Sequence, residues 1–311
     1  MAPRHALPVN AGFTYNPYYP PFEEEVISED ETSRVWRDGQ GVIKRDRKDS
    51  PEKSMSQFLE FPVKSRRDWE DLKWRLDPAE PARYPDWAEV HRQHDNRDYV
   101  IGLYICGGYG FPRNLFGEQH LAYAYYDTPD LVHDIMACWL SFYKDLTGRV
   151  LAEFVPDYLY IWEDMAFKNG PLISPTTFRE FMSPYYTELI SHVKRLGLEI
   201  VMVDSDGDNR PIFDLFLEAG MNAFLPCEIA ANMEPLELRE RFGNDFLIIG
   251  GIDKRALSTD FAAIDHEVMR KVPKLLETGR YIPTVDHSCP PDIAFENYRY
   301  YVELLRNVCG G

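Results

Sequence analysis

The sequence lacks long apolar runs and paired cysteines. No apolar run reaches the roughly 18 residues that a membrane-spanning helix needs, and the first residues contain no signal-peptide pattern. The five cysteines among 311 residues are scattered and include no Cys-x-x-Cys pair, so they indicate neither a disulfide framework nor a zinc ribbon. These absences favour a protein of the reducing cytoplasm.

Basic residues are also scarce. There are 34 Lys and Arg against 51 Asp and Glu, which gives a formal net charge of −17. A nucleic-acid-binding protein needs a basic face that displaces counterions from phosphates, and an anionic membrane attracts basic segments. The composition therefore argues against both partners. Solubility is the simplest role of the acidity.

The residues that are present suffice for one large core or two ordinary domains, since 44% are hydrophobic. Residues 1–95 are the least regular part. The Asp-Gly pair at 38–39 between apolar residues predicts a β-hairpin over 34–44, 58–63 is an extended run, and 67–76 has helical spacing. We expect residues 1–95 to be an N-terminal extension that forms a rim or a lid.

From residue 96 to 311, apolar runs of strand length alternate with helical patterns. The six runs are residues 99–105, 158–162, 198–203, 222–225, 246–252 and 281–285. Helices follow them, among them one predicted from Pro175 to Gly197. This alternation predicts an α/β fold with a parallel sheet covered by helices on both faces. A doubly wound sheet and a (β/α)8 TIM-type barrel are both compatible with it.

Charged residues follow five consecutive predicted strands. They are Glu163 and Asp164, Asp204 and Asp206, Glu228, Asp253 with Lys254, and Asp286 with His287. A barrel collects functional residues from nearly every strand end, whereas a doubly wound sheet gathers them at one switch point, so this pattern favours the barrel. The six predicted strand–helix units are two fewer than the eight of a (β/α)8 barrel. Either residues before 96 supply the rest, or the chain lacks its first βα unit.

Seven carboxylates at the strand ends of one barrel would repel one another unless their negative charge is compensated. Some could stay protonated as general acids, a divalent metal could lie among them, or they could cap helices. Capping is the best explanation for a single acid. It explains the whole set poorly, because the acids fall at strand ends rather than immediately before helices.

Several of these residues allow both a functional and a structural interpretation. Asp204 and Asp206 with His287 could form an oxygen- and nitrogen-ligated metal site or serve only structurally. His287, the only histidine at a strand end, could be an acid–base group. Lys168 and Lys254 could pair with neighbouring acids or hold an anionic substrate oxygen. The Gly-Gly-Tyr-Gly sequence at 107–110 indicates a tight turn, since it lacks the spacing of a phosphate loop.

Several ordered motifs carry a family resemblance. They are Glu-Asp-Met-Ala-Phe-Lys-Asn-Gly-Pro-Leu-Ile-Ser-Pro at 163–175, Val-Asp-Ser-Asp-Gly at 203–207, Ile-Gly-Gly-Ile-Asp-Lys at 249–254, Tyr-Ile-Pro-Thr-Val-Asp-His at 281–287, Pro-Pro-Asp at 290–292 and Glu-Asn-Tyr at 296–298. The chain resembles the uroporphyrinogen decarboxylase superfamily over about residues 95–308, most closely its cobalamin-dependent methyltransferase branch. The resemblance implies a (β/α)8 barrel.

Two departures from the family pattern refine the expectation. The arginine-rich N-terminal motif with which the decarboxylases grip substrate carboxylates is absent. The thiol-directed methyltransferases of the superfamily bind zinc through His-x-Cys and a later Cys, where this chain has Asp204-x-Asp206 and His287. The resemblance therefore implies transfer of a methyl group from an O-methyl or N-methyl donor, such as a methoxylated aromatic, to the cobalt of a corrinoid on a separate protein.

The resemblance also implies roles for the strand-end residues. The expected catalytic residues are Glu163, Asp164, Asp204 and His287. The expected substrate-binding residues are Tyr104, Trp162, Lys168, Asp206, Glu228, Asp253 and Lys254. A decarboxylase acting on a carboxylated ring and a non-catalytic barrel that binds a small molecule remain alternatives.

Overall fold

The computed structural model describes residues 6–11, 16–48 and 56–310. Its strands are β1 Glu25–Glu29, β2 Ser33–Arg37, β3 Ile43–Arg47, β4 Gln57–Glu60, β5 Gly102–Cys106, β6 Tyr158–Trp162, β7 Ala166–Phe167, β8 Gly170–Pro171, β9 Ile200–Asp204, β10 Ala223–Leu225, β11 Leu247–Ile252 and β12 Tyr281–Val285. Its α-helices are α1 Arg66–Leu72, α2 Trp87–His94, α3 Gly110–Phe116, α4 Glu118–Asp127, α5 Pro129–Glu153, α6 Pro175–Phe181, α7 Ser183–Arg195, α8 Phe213–Glu218, α9 Pro235–Phe242, α10 Lys254–Leu257, α11 Phe261–Thr278 and α12 Phe295–Val308.

Contacts divide the described residues into two units. Residues 6–162 and 180–199 form what we call the N-terminal unit, and residues 163–179 and 200–310 form the C-terminal unit. The residues expected to form an extension therefore belong to the same unit as β5 and β6. No helix in the described ranges is long and apolar enough to cross a membrane.

The N-terminal unit begins with an antiparallel sheet in the order β1-β2-β3-β4. The predicted hairpin is confirmed: β2 pairs with β3, and the side chain of Asp38 in the turn accepts hydrogen bonds from the N–H groups of Gln40 (2.9 Å) and Val42 (3.0 Å). The predicted helix at 67–76 is confirmed as α1 followed by a 3₁₀ turn. Trp69, which lies in α1, is fully buried.

Strands β5 and β6 pair in parallel in the N-terminal unit, and α5 packs on them. The Trp139 indole N–H donates to the carbonyl of Cys106 at 2.9 Å, which fixes the helix to the end of β5. Ala6 forms a parallel bridge with Gly102, and the Leu7 N–H donates to the Gly102 carbonyl at 2.9 Å. Among the described residues before 96, this single bridge is the only pairing that extends the parallel strands.

The C-terminal unit contains four parallel strands in the order β12-β11-β10-β9. Parallel strands place their carboxyl ends at one edge, so the residues that follow them converge. Position 250 in β11 requires glycine because the loop after β10 approaches it closely. The φ of Gly250 is +112°, and a Cβ there would lie 1.8 Å from the Pro226 carbonyl oxygen. The loop after β10 thus packs directly on the backbone of β11.

The predicted α/β class, with parallel strands each followed by a helix, is confirmed, and most element bounds differ from prediction by three residues or fewer. The helix predicted from Pro175 to Gly197 is two helices, α6 and α7. Helices α2, α3 and α4 were not predicted.

We predict that Gly250→Ala destabilises the protein more than Gly279→Ala. Gly279 also has a positive φ, +72°, but nothing lies within 4 Å of an added Cβ, so only backbone strain of about 1–3 kcal/mol applies there. The clash with Pro226 should add a further ~1–3 kcal/mol at Gly250. Urea unfolding followed by circular dichroism measures the difference, and equal midpoints would contradict the packing described.

Candidate active site

Glu163 and Asp164 are fixed at the end of β9 by backbone hydrogen bonds. The N–H groups of Glu163 (2.9 Å) and Asp164 (3.3 Å) both donate to the carbonyl oxygen of Asp204. Glu163 is fully buried. Asp164 has a φ of +49°, in the left-handed region that Asp tolerates better than most residues. The structure therefore places Glu163 and Asp164 beside Asp204, and the catalytic roles of these three residues stay a prediction.

The loop after Glu163 and Asp164 forms the small β7–β8 hairpin, which packs on residues 205–208. The Asp208 N–H donates to the Phe167 carbonyl at 2.9 Å, and the Met165 N–H donates to Ser205 Oγ at 3.1 Å. Gly207 allows this approach, because a Cβ there would lie 2.4 Å from the Ala166 carbonyl oxygen. Lys168 is exposed in the hairpin turn, and its substrate contact stays a prediction.

Asn209 holds the loop that carries Asp206. Its side-chain amide nitrogen lies 2.9, 3.1 and 3.2 Å from the carbonyl oxygens of Ser205, Asp206 and Gly207. Its side-chain oxygen accepts a hydrogen bond from Ser205 Oγ at 2.9 Å. Sequence reasoning missed this residue. An asparagine just after a strand-end acid is the signal that could have indicated a structured loop.

Asp206, Glu228 and His287 meet at the strand ends. His287 Nε2 lies 3.1 Å from Asp206 Oδ2. Glu228 Oε2 accepts a hydrogen bond from the Gly207 N–H at 3.1 Å, which fixes Glu228 beside the Asp206 loop. These three predicted site residues come from the loops after β9, β10 and β12, so they form one cluster.

The cluster raises the pKa of His287 above its usual value. The hydrogen bond to Asp206 is the largest cause, and the negative charges of Asp206 and Glu228 act in the same direction. Partial burial and the charge of Lys254 oppose them. His287 is therefore protonated over a wider pH range than a free histidine, which suits a proton donor near neutral pH.

Asp286 ties together the loops that carry the cluster. Its carboxylate is 1% exposed and accepts hydrogen bonds from the N–H groups of Ile229 at 2.9 Å and Lys254 at 3.0 Å. Burial raises the pKa of Asp286, and the two backbone hydrogen bonds oppose that shift. Asp286 is thus a positioning residue, which its strand-end location alone did not reveal.

Asp253 serves as a helix cap. Its carboxylate accepts hydrogen bonds from the Arg255 N–H at 2.9 Å and from the Arg255 guanidinium at 2.7 Å. Because α10 begins at Lys254, the argument that none of these acids immediately precedes a helix is wrong for Asp253. Asp253 thus has a structural role as the cap of α10. Substrate binding by Asp253 and Lys254 stays a prediction.

Tyr104 and Trp162 lie in the N-terminal unit. The Tyr104 ring is buried and stacks on Tyr160 with centroids 4.4 Å apart, and its hydroxyl lies 3.1 Å from that of Tyr158. Trp162 ends β6, and the Arg113 guanidinium lies 4.7 Å from its ring centroid. Of these two rings, Trp162 lines a cavity, whereas Tyr104 belongs to the packing around the strands.

The three residues considered as metal ligands do not form a metal site. Within the described ranges, no group of three or more His, Cys, Asp or Glu side chains is placed to hold a metal ion. The contact between Asp206 and His287 joins two of the three, and Asp204 does not complete a set with them. The arrangement of these three donor side chains therefore does not fit a metal ion bound by this chain.

The family Uroporphyrinogen decarboxylase (URO-D) matches residues 119–308, which is more than half of the chain. The chain belongs to the uroporphyrinogen decarboxylase family. Members of this family are enzymes, and the strand-end cluster lies within the matched residues. A search of curated proteins found no match.

One of three similar solved structures supports the fold of this family member. A methyltransferase from Methanosarcina mazei is similar with a TM-score of 0.62 and 15% identity, over 88% of this chain and 77% of that one. A B12-independent methionine synthase from Shewanella sp. W3-18-1 has a TM-score of 0.43 at 14% identity, covering 71% and 66%. A putative B12-independent methionine synthase from Listeria monocytogenes has a TM-score of 0.40 at 12% identity, covering 72% of this chain and 70% of that one. The first similarity shows a shared fold.

We predict that Asp206→Asn lowers the pKa of His287, because the substitution removes the charge that raises it and leaves an uncharged, weaker hydrogen-bond acceptor for the imidazole. Histidine NMR titration measures this pKa. Since the folded pKa of His287 lies above the unfolded value of about 6.5, the pair stabilises the fold below that pH, and this contribution is lost as the pH rises through the folded pKa.

The matched control is Asp95→Asn. Asp95 accepts a hydrogen bond from His91 at 2.9 Å in the N-terminal unit and raises the pKa of that histidine. This variant should change the His91 titration and leave that of His287 unchanged. A His287 pKa that stays the same in Asp206→Asn would contradict the cluster described.

Proposed function

We propose that the protein is a methyltransferase that moves a methyl group from a small O-methyl or N-methyl donor to the cobalt of a corrinoid carried by a separate protein. Membership of the uroporphyrinogen decarboxylase family and a fold shared with a methyltransferase support an assignment in this direction. The observation that carries it is the His287–Asp206 pair, a proton donor held among carboxylates at the strand ends.

The departing oxygen of an O-methyl donor, or the nitrogen of an uncharged N-methyl donor, needs a proton. Its bond to the methyl carbon breaks with both electrons left on the heteroatom, and an unassisted alkoxide is a poor leaving group. The cobalt(I) of the corrinoid acceptor would supply the electron pair for the new bond to carbon, which would leave it as cobalt(III). His287 supplies the proton, so charge and atoms balance.

The geometry of His287 indicates which nitrogen donates. Nε2 faces Asp206, and among the described residues Nδ1 has no hydrogen-bond partner, so the Nδ1–H of the imidazolium is the group available to a substrate. Asp206 orients the ring and stabilises its positive charge. Glu228 adds negative charge nearby. Asp206 and Glu228 therefore act by keeping His287 charged until it donates.

A decarboxylase is the second candidate, because the family takes its name from one. The site is acidic, since the carboxylates of Asp206 and Glu228 lie together at the strand ends. A polycarboxylate such as a porphyrinogen would be repelled there. Methyl transfer from an uncharged or cationic donor avoids this repulsion and is the better supported function.

We predict that the protein with a cobalt(I) corrinoid and a panel of methoxyaromatics, methanol and methylamines produces methylated cobalt, seen by its absorbance. His287→Ala should lower kcat by roughly 10²- to 10⁴-fold. The rate should also fall as the pH rises through the raised pKa of His287, because only the imidazolium donates. His91→Ala, which removes an exposed histidine also paired with an aspartate, is the control and should keep the rate.

Two outcomes would contradict this function. One is release of CO₂ from a carboxylated ring with no methyl transfer from any donor, which would favour the decarboxylase. The other is methyl transfer that His287→Ala leaves unchanged, which would remove the proton donor from the mechanism. Ligand binding without either reaction would favour a non-catalytic barrel.

A further inference from the structure

A small cavity lies at the carboxyl ends of β5 and β6 in the N-terminal unit. Its volume is about 130 Å³. Cys106 and Trp162, the last residues of the two strands, line one part of it. Tyr18 and Gln40 also line it, although they come from the part of the chain expected to be a rim or a lid. Residues from this N-terminal part of the chain thus help to line the cavity.

The volume limits the size of a ligand. An engineered apolar cavity of roughly 150 Å³ holds one benzene molecule. A cavity of about 130 Å³ is slightly smaller, so it accepts at most one six-membered ring, and the substituents of that ring extend through the cavity's opening. Two fused rings are too large for it without movement of the walls.

The walls favour an uncharged ring. Tyr18, Phe111 and Trp162 provide aromatic surface, on which an aromatic ring packs in offset or edge-to-face contact. None of the described residues that line the cavity carries a charge. A carboxylate or ammonium group on the ring would lose its hydration there without gaining a counter-ion, which is costly.

Two side-chain amides in the cavity wall can form hydrogen bonds to a polar atom of a ligand. Gln40 and Asn114 both line the cavity, and neither side-chain amide has a hydrogen-bond partner among the described residues. The backbone of Gln40 is fixed by its hydrogen bond to Asp38, and Asn114 lies on α3. Each amide can donate to an ether, hydroxyl or carbonyl oxygen on a ligand.

The Trp162 wall is held in place before any ligand binds. Arg113 lies over its ring, and the absence of a side chain at Gly110 lets the start of α3 approach it. A Cβ at Gly110 would lie 2.9 Å from the Trp162 carbonyl oxygen and 3.1 Å from its Cε3. A fixed wall loses little conformational entropy when a ligand binds, which favours binding.

We propose that this cavity binds an uncharged single six-membered aromatic ring with one oxygen substituent, and that Gln40 and Asn114 select that ligand by hydrogen bonds to the oxygen. Trp162 is followed in the chain by Glu163. The identification of the ring as that of a methoxylated methyl donor rests on the proposed function, whereas the cavity and its selectivity do not.

Binding of 4-fluoroanisole and 4-fluorobenzoate to the full chain, without corrinoid, tests the proposal by ¹⁹F NMR titration. The neutral ring should bind saturably, and the carboxylate of similar size should bind at least tenfold more weakly. Asn114→Leu and Gln40→Met remove an amide with little change in volume. Each should weaken 4-fluoroanisole binding roughly two- to tenfold, the effect of one neutral hydrogen bond.

The control is Gln119→Met, since Gln119 is an exposed amide on α4 that does not line the cavity. It should leave the affinity unchanged, and circular dichroism verifies that all three variants fold. Equal binding of the two probes, no saturable binding, or no effect of either amide substitution would overturn the proposal.

The same variants separate this inference from the proposed function. Saturable binding that depends on Gln40 and Asn114, together with an absence of methyl transfer, would support the cavity and contradict the methyltransferase. Methyl transfer from a methoxyaromatic with a KM that neither substitution changes would support the methyltransferase and contradict the identification of the cavity's ligand as the methyl donor.

Discussion

The buried carboxylate of Asp286 is the constraint on which the strand-end site depends. Its two oxygens accept hydrogen bonds from the N–H groups of Ile229 and Lys254, and its own N–H donates to the Ile252 carbonyl at 2.8 Å. One side chain thus joins the loop after β10, the start of α10 and the end of β12. The residues beside these points include Glu228 and His287, whose positions decide the electrostatics of the site.

The electrostatics follow from that arrangement. Three loops present Asp206, Glu228 and His287 close together, and the negative charges favour the imidazolium form of His287. Not every strand-end acid contributes in this way. Asp253 is engaged by Arg255 as a helix cap. The strand-end acids therefore have different roles: Asp286 orients loops, Asp253 caps a helix, and Asp206 and Glu228 raise the pKa of His287.

The sequence was most informative where hydrophobic periodicity is strong. Buried runs such as Leu247–Ile252 predict parallel strands, and the acids after them predict a site at one edge. It could not show that Asp286 accepts two backbone N–H groups or that Asn209 holds the Asp206 loop, because those bonds join segments brought together by the fold. The pairing of Gln40 with Trp162 as walls of one cavity is hidden for the same reason.

Hydrogen exchange of the Ile229 and Lys254 amide protons tests most directly whether Asp286 fixes the site. Both should exchange slowly in the native protein. In Asp286→Ala each N–H loses a charge-assisted hydrogen bond of roughly 1.5–3 kcal/mol, so exchange should accelerate about ten- to a hundredfold. Asp245→Ala, at a fully exposed surface position, should leave both rates unchanged. Equally slow exchange of both amides in Asp286→Ala would contradict the account.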